Sequence, residues 1–419
     1  MRVWYKNIDY TIVLLWAALV SIGLAAIYST THGPASEFLL TSVQNNFTRQ
    51  LLWMTVCLGV SAIALTLPVR FYQYGAYPIY GLVLLMLVLA LVGGHEVNGA
   101  RSWLRIGPLQ IQVSELAKVG TVLAVAQLLS ARRRSANSVR YALLAVLLII
   151  VPAVIIVMQN DMGTALVFLG LIPVMLFWSG LPMTTLLLIV SPAVAGYLAI
   201  VFMPAAILFT VLFTAAMLWF TRERYMGFLA FVFSGGTVIA LTFALSSILQ
   251  PYQVSRLLSF TNPESAEYRD NVGFHLVQSK AAIGSGGLVG KGFMQGTQTQ
   301  GAYVPEQSTD FVFSVIGEEF GFLGGLVVLA LFAALFIRVV LLGVQIKHPF
   351  AVMVGVGAVG IYVVHVFINI GMATGILPVI GIPLPFISYG GSALLANTAM
   401  LAIMLNLSMR RDDFSIYGY

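Results

Sequence analysis

Sixty consecutive residues, Met162 to Thr221, contain no Asp, Glu, Lys or Arg. No soluble core takes up such a run, whereas a bilayer crossing needs about 20 apolar residues. The run therefore reads as three crossings, broken near Ser179–Pro182 and Met203–Pro204. The same length rule places spans at Tyr10–Ser29, Gln50–Val69, Phe71–Gly94, Lys118–Ala131 with its polar lead-in, and Tyr141–Asn160. Beyond the run it places them at Tyr225–Gln250, Phe311–Ile337, Phe350–Met372 and within Pro385–Leu407, about twelve in all. At 59% hydrophobic and 9% charged residues, the chain is expected to be an all-α polytopic integral membrane protein, a single membrane domain over residues 1–419. A soluble globular enzyme is excluded, and no nucleic-acid partner is expected.

Cys57, the single cysteine, lies in an apolar run and supports neither a disulfide framework nor a metal cluster. Tyr10–Ser29 is too long and apolar for a cleavable leader, and Arg2 and Lys6 precede it, as in a first span entered from the cytoplasm. With the N-terminus inside, the loops holding Arg70, Arg132–Arg134 with Arg140, Arg222 with Arg224, Arg338 with Lys347, and the tail Arg410–Arg411 all fall on the cytoplasmic side. That is where basic residues of short loops collect. The even count puts both termini in the cytoplasm.

The polar stretches then lie outside. Residues 251–310 form a large outer loop, and nine of the chain's 36 charged residues lie between Arg256 and Asp310. Within it, Gly284, Gly286, Gly287, Gly290 and Gly292 permit positive φ or close backbone approach. Lys280 and Lys291 among them suit a phosphate or diphosphate. Glu306, Asp310, Glu318 and Glu319 follow at the head of a span, where carboxylates are costly unless paired or functional. A second outer segment, residues 95–118, carries Arg101, Trp103 and Arg105. It ends on Glu115 and Lys118, spaced i,i+3 on a helix entering the membrane, either as a structural ion pair or as part of a site. Asp161, between two apolar runs, is a helix N-cap or a site residue. Near the C-terminus, residues 375–395 hold Pro378, Pro383, Pro385, Gly390 and Gly391, which cannot continue a regular spanning helix. Such backbone persists at membrane depth only where it lines a cavity or is buried in protein. A broken, re-entrant segment beside the charged loop is predicted, so that three outer elements converge on one polar cavity.

Six motifs carry a family resemblance: "NGARSWLRIGPLQIQVSELAK", "QNDMGTAL", "NPES", "QSKAAIGSGGLVGKG", "PEQSTDFVFSVIGEEFG" and "GILPVIGIPLPFISYGGSALL". In this order, covering most of the chain, they resemble the SEDS family (shape, elongation, division and sporulation), and Gly381–Pro385 resembles its rod-shape branch. The resemblance implies a SEDS-type helical bundle in the bacterial cytoplasmic membrane with its active site on the outer face. It implies a peptidoglycan glycosyltransferase that polymerises lipid II during cell elongation. The partners implied are a class B penicillin-binding protein and other membrane proteins of the elongation complex. The family is usually drawn with fewer spans, about ten, so residues 162–250 suggest an extra helix pair.

The chemistry implied is attack of a sugar hydroxyl on an anomeric carbon whose leaving group is a polyprenyl diphosphate. A carboxylate takes the hydroxyl proton, and cations or a divalent metal (Mg or Mn) offset charge on the departing diphosphate. By resemblance the general base is Asp270, in Asp270-Asn271-Val272-Gly273-Phe274-His275. The segment between Asn262 and Gly273 is longer than the common spacing and one Gly of the pattern is missing, so Glu264 and Glu267 remain open as the base. Lys280, Lys291, Arg101 and Arg49 are expected at the diphosphate, with Trp103 and Asp161 beside the substrate. Glu115 and Lys118 are expected to order the cavity floor. Glu306 and Asp310 would hold a divalent cation or shape the acceptor site, and Ser388 and Tyr389 would line the cavity. Two rival classes use similar residues: a lipid II flippase or other transporter, and a non-catalytic scaffold of the elongation complex. Charges gathered at the outer face rather than the midplane, and the lack of an inverted repeat, argue against the transporter.

Overall fold

The computed structural model describes residues 8–411 except 35, 37–38, 98, 108, 131–138, 248–250, 264, 266–272 and 305. In chain order the helices before the apolar run are α1 (Tyr10–His32), α2 (Thr41–Gln44), α3 (Asn46–Thr66) and α4 (Val69–Gly93). A small sheet follows, β1 (His95–Val97), β2 (Ala100–Ile106) and β3 (Leu109–Gln112), then α5 (Val113–Ser130) and α6 (Val139–Met158). The run itself forms α7 (Met162–Trp178), α8 (Met183–Val201) and α9 (Met203–Thr221), followed by α10 (Arg224–Ser247) and α11 (Pro251–Leu258). The last five are α12 (Phe274–Ser285), α13 (Thr297–Gln300), α14 (Val312–Ile346), α15 (Pro349–Thr374) and α16 (Gly391–Met409). Eleven of these are long and apolar enough to cross a membrane by length and composition, and α7, with 17 residues, is a shorter apolar helix. Each of the twelve expected spans has its helix.

Two details depart from the sequence expectation. Residues 95–112 are not a plain loop but a three-stranded antiparallel sheet in the order β1-β2-β3, so the chain is not wholly α. Trp103 faces Gln112, Leu104 faces Ile111 and Arg105 faces Gln110 in its β2–β3 hairpin. Short polar strands tolerate this place because the hairpin closes through Gly107, at φ 62°, a conformation that glycine adopts without a Cβ penalty. Second, α14 does not end at Ile337 but continues to Ile346 and carries Arg338 within it. The guanidinium reaches Asp9, 2.6 Å away. Asp9 also caps α1, accepting from the Ile12 amide at 3.2 Å, so one carboxylate ends one helix and neutralises a cation in another.

The fold separates into two compact units. The first comprises residues 1–175, 278–374 and 380–419, and the second residues 176–277 and 375–379. In the first, α5, α15 and α16 are buried over most of their length, and α3, α4 and α14 present apolar sides outward. Small residues set the spacing: a Cβ on Gly357 of α15 would lie 2.5 Å from Val122 of α5. Close helix contact of this kind substitutes for a hydrophobic driving force in lipid. Polar side chains close helix ends within the same unit. Asn406 of α16 donates to the carbonyls of Ala64, Leu65 and Leu67 at the C-terminus of α3, satisfying groups that the helix end leaves without partners of its own.

In the second unit α8, α9 and α10 pack against one another. Their cores are Leu188, Met217, Met226 and Ala230, and Ala195, Ala206 and Val238. Tyr197 of α8 stacks on Phe260, 6.3 Å between centroids, and donates to the Ile376 carbonyl at 3.0 Å. The chain beyond α11 and the segment 375–379 are thereby both held to α8.

Candidate active site

Residues 380–390 of the first unit are non-helical, in keeping with Pro383, Pro385 and the positive φ of Gly381, yet Ile382, Leu384, Phe386, Ile387 and Ser388 are buried. Buried backbone without its own ladder must find partners elsewhere. Asn369 of α15 donates its amide to the carbonyls of Ile382 (2.7 Å) and Asp310 (2.8 Å). One turn earlier on the same helix face, His365 Nδ1 lies 3.0 Å from the Pro383 carbonyl. Gln50 of α3 bridges the segment's far end, donating to Ser388 O and accepting from the Gly390 amide, each at 3.3 Å. Ser388 Oγ accepts from the Leu384 amide (2.8 Å) and donates to the Thr309 carbonyl (2.5 Å). Tyr389, half-buried, donates its amide to Ser308 O at 2.8 Å, and Asn46 donates to Ser308 Oγ at 3.1 Å. Ser388 and Tyr389 thus join residues 380–390 to residues 308–310, bringing Asp310 beside the segment: a Cβ on Gly381 would lie 3.3 Å from Asp310 Oδ2.

Beneath this segment sits a buried cation. Lys118 and Glu115 of α5 are each 2% exposed and pair at 2.7 Å, with Lys118 Nζ also 2.8 Å from His365 Nε2. A buried pair that kept only Coulomb attraction would not offset its desolvation; the imidazole gives the ammonium a second polar partner. Asp161 takes the capping role and adds a second set of contacts within the protein. Its Oδ1 accepts from the Thr164 amide (3.1 Å) as the cap of α7, while Oδ2 accepts from Gln112, Ser114 and Thr164 side chains at 2.9 to 3.1 Å. It therefore fixes the junction of β3 and α5, at Gln112 and Val113, just ahead of Glu115 and Lys118.

The glycine-rich stretch packs against a break in α14. Gly321, at φ 65° and ψ −161°, breaks α14, so the amides of Phe322 and Leu323 and the carbonyls of Glu318 and Glu319 lose their helical partners. Residues 287–292 supply all four replacements. Phe322 and Leu323 donate to Gly287 O and Leu288 O (2.9 and 3.0 Å), and Lys291 and Gly292 donate to Glu318 O and Glu319 O, both 3.0 Å. Only glycine permits this approach: a Cβ on Gly290, at φ 82°, would lie 2.2 Å from Glu319 O. The Lys291 ammonium is likewise committed within the protein, donating at 2.7 Å each to Ser285 Oγ, Thr297 Oγ1 and Glu318 Oε1. Glu318, fully buried, also accepts from the Gln298 and Thr299 amides (2.9 and 2.8 Å). Glu319 accepts from Ser29 and from Gln300, the latter at 3.1 Å. All three Lys291 protons are thus engaged within the protein, where they anchor the kink.

The remaining expected residues are more open. Arg49 and Lys280 are exposed. Arg101, also exposed, pairs with Glu96 at 3.3 Å, and Trp103 is half-buried in β2. Glu306 is exposed at φ 52° and accepts from Thr309 Oγ1 at 2.8 Å. Asp310 is half-buried, and burial, aided by the Glu306 charge, pushes its carboxyl up to about 7. Asp270, Glu264 and Glu267 lie outside the described residues. Sequence reasoning missed His365, Asn369, Asn46 and Gln50. The signal available was polar side chains within apolar runs, which in a membrane face protein or function.

The sequence profile of the FtsW, RodA and SpoVE cell cycle protein family matches residues 9–216 and 202–413. The chain is 32% identical to the peptidoglycan glycosyltransferase RodA of Treponema pallidum (strain Nichols), over 96% of this chain and 98% of the relative. It is 31% identical to the peptidoglycan glycosyltransferase MrdB of Escherichia coli (strain K12), over 98% and 96%. Among solved structures it resembles a chain from a peptidoglycan synthase complex studied for the coordination of polymerization and crosslinking, with a TM-score of 0.71 and 30% identity, covering 96% of this chain and 98% of that one. It also resembles the rod shape determining protein RodA of Thermus thermophilus, with a TM-score of 0.63, 29% identity, and coverage of 96% and 97%.

Proposed function

The chain belongs to the FtsW, RodA and SpoVE family, and from that premise we propose that it is a peptidoglycan glycosyltransferase that polymerises lipid II. Its site would open to the outer face of the cytoplasmic membrane, with both termini inside. The observation that carries this reading is the polar centre under residues 380–390, in a chain resembling named peptidoglycan glycosyltransferases from end to end.

The reaction joins a sugar hydroxyl to an anomeric carbon and expels a lipid diphosphate. A carboxylate of the 264–270 segment, Asp270 by its motif, would accept the hydroxyl proton as the new bond forms. Lys280, Arg101 and Arg49 would meet the diphosphate, where a positive field offsets the charge that grows as it departs. Lys118 and Glu115, sealed from solvent, do not touch substrate; they fix the floor on which residues 380–390 rest. Glu306 and Asp310 are the residues that would hold a divalent cation. Among the described residues no group of three ligating side chains occurs, and two carboxylates fit Mg²⁺, which takes its other ligands from water and substrate phosphate. When bound, the metal supplies charge neutralisation at the diphosphate.

A class B penicillin-binding protein would work beside it as the crosslinking enzyme, a reading supported by the resemblance to a synthase complex that couples polymerization to crosslinking. The test is to incubate the purified chain and partner with lipid II in detergent, where no membrane separates two compartments. Glycan polymer is expected. Unchanged lipid II there, with translocation after reconstitution into vesicles, would make the protein a transporter; neither activity would make it a scaffold.

A further inference from the structure

We propose that His365 is a positioning residue of the polymerase, a neutral imidazole that locks the Lys118 ammonium to the backbone of the 380–390 segment. The inference rests on the glycosyltransferase reading for its effect on activity, and on geometry alone for its chemical state. The Pro383 carbonyl, 3.0 Å from Nδ1, can only accept, so Nδ1 must carry a proton. Lys118 Nζ, 2.8 Å from Nε2, can only donate while it is the ammonium that pairs with Glu115 at 2.7 Å. Nε2 must then present a lone pair. An imidazolium would aim a second N–H at an ammonium, and the other neutral tautomer would face a lone pair with the Pro383 carbonyl. Both contacts are met by one form only, with the proton on Nδ1.

His365 is 1% exposed, so no water substitutes for either contact. Because Asn369, one turn on, holds the Ile382 and Asp310 carbonyls, one face of α15 ties three things together: the buried cation, the non-helical segment and the strand of chain that carries Asp310. His365 is the link that makes the position of Lys118 and that of Pro383 depend on each other.

Two amide replacements separate its two contacts. Asn places its amide near Nδ1 and Gln near Nε2, so His365→Asn keeps the donor to Pro383 and loses the acceptor for Lys118, while His365→Gln keeps the acceptor for Lys118. In lipid II polymerisation with the partner present, His365→Gln, which releases Pro383 but keeps the ammonium paired, is expected to lose about threefold. His365→Asn should lose about tenfold or more, because a buried ammonium is left short of a partner. Equal rates for the two variants, or a more active Asn variant, would overturn the proposal. A second measurement stands apart from activity: ¹⁵N solid-state spectra of histidine-labelled protein in bilayers, with the His365 signal assigned by its loss in His365→Gln. A protonated Nδ1 and bare Nε2 are expected, and a proton on Nε2 would overturn the assignment. If wild type makes no polymer, the glycosyltransferase reading fails, and the spectrum still decides the state of His365.

Discussion

Removing one member of the Glu115–Lys118 pair leaves the other charge buried at 2% exposure, an error that costs about 3–5 kcal/mol. Lys118→Met is therefore expected to lower the yield and melting temperature of detergent-solubilised protein as well as its activity. Replacing both, Glu115→Leu with Lys118→Met, should restore much of the melting temperature, since an apolar pair of similar volume needs no compensation, without restoring polymerisation. A double variant no more stable than the single one would show that the pair is not held by its mutual charge. Asp310 makes a prediction about pH. Its carboxyl is raised to about 7 in the fold, against about 3.9 in an unfolded chain, so between those values the folded protein binds the extra proton. Its contribution to stability is largest at low pH and declines as pH rises through that window. With a chelator present, the fall in melting temperature between pH 5 and pH 8 should be smaller in Asp310→Asn than in wild type; an identical slope would remove Asp310 as its source. At this scale the sequence was legible where charge stood out against an apolar background, as at Glu115, Lys118 and Asp161. It was less so where one polar residue inside a span binds backbone, as with His365 and Asn369, because such a residue signals its partner only once residues 380–390 are folded against it.

The break in α14 shows what the glycine-rich stretch accomplishes as an element. Gly321 frees four backbone groups and residues 287–292 satisfy all four, so the loop and the helix head form one unit anchored by Lys291 and Glu318. Gly290→Ala places a Cβ 2.2 Å from Glu319 O in a left-handed conformation and should destabilise the protein by about 2 kcal/mol or more, read as a lower melting temperature and faster proteolysis near residue 290. Lys291→Met separates anchoring from substrate binding. Anchoring predicts less folded protein without any substrate, whereas normal stability with a raised KM for lipid II would return Lys291 to the diphosphate. The sequence showed the glycines and their positive-φ capacity, but a phosphate cradle and a helix break call for the same residue type. The distinction lies in what faces the amides, and here that is the backbone of Glu318 and Glu319. The 380–390 segment was more legible, since Pro383 and Pro385, two residues apart beside Gly381, remove two helix donors within one turn.

At the scale of the whole molecule, apolar length alone located twelve helices, because the cost of exposing backbone in lipid leaves few alternatives to a full-length helix. It did not reveal the sheet at 95–112, whose alternation is too short and too polar to register, nor the extension of α14 past Arg338, which depends on Asp9 being within reach. The span pattern fixes the scaffold, and the polar centre beneath residues 380–390 sets this bundle apart from one held by apolar packing alone. The most direct test is polymerisation of lipid II by the purified chain with its penicillin-binding partner, wild type beside Asp270→Asn, resolved by glycan length on a gel. Polymer from wild type and none from the variant, with both equally folded and partner-bound, is the predicted result. Equal polymer from both would move the base to Glu264 or Glu267, and no polymer from either, beside a partner shown to be active, would contradict the account.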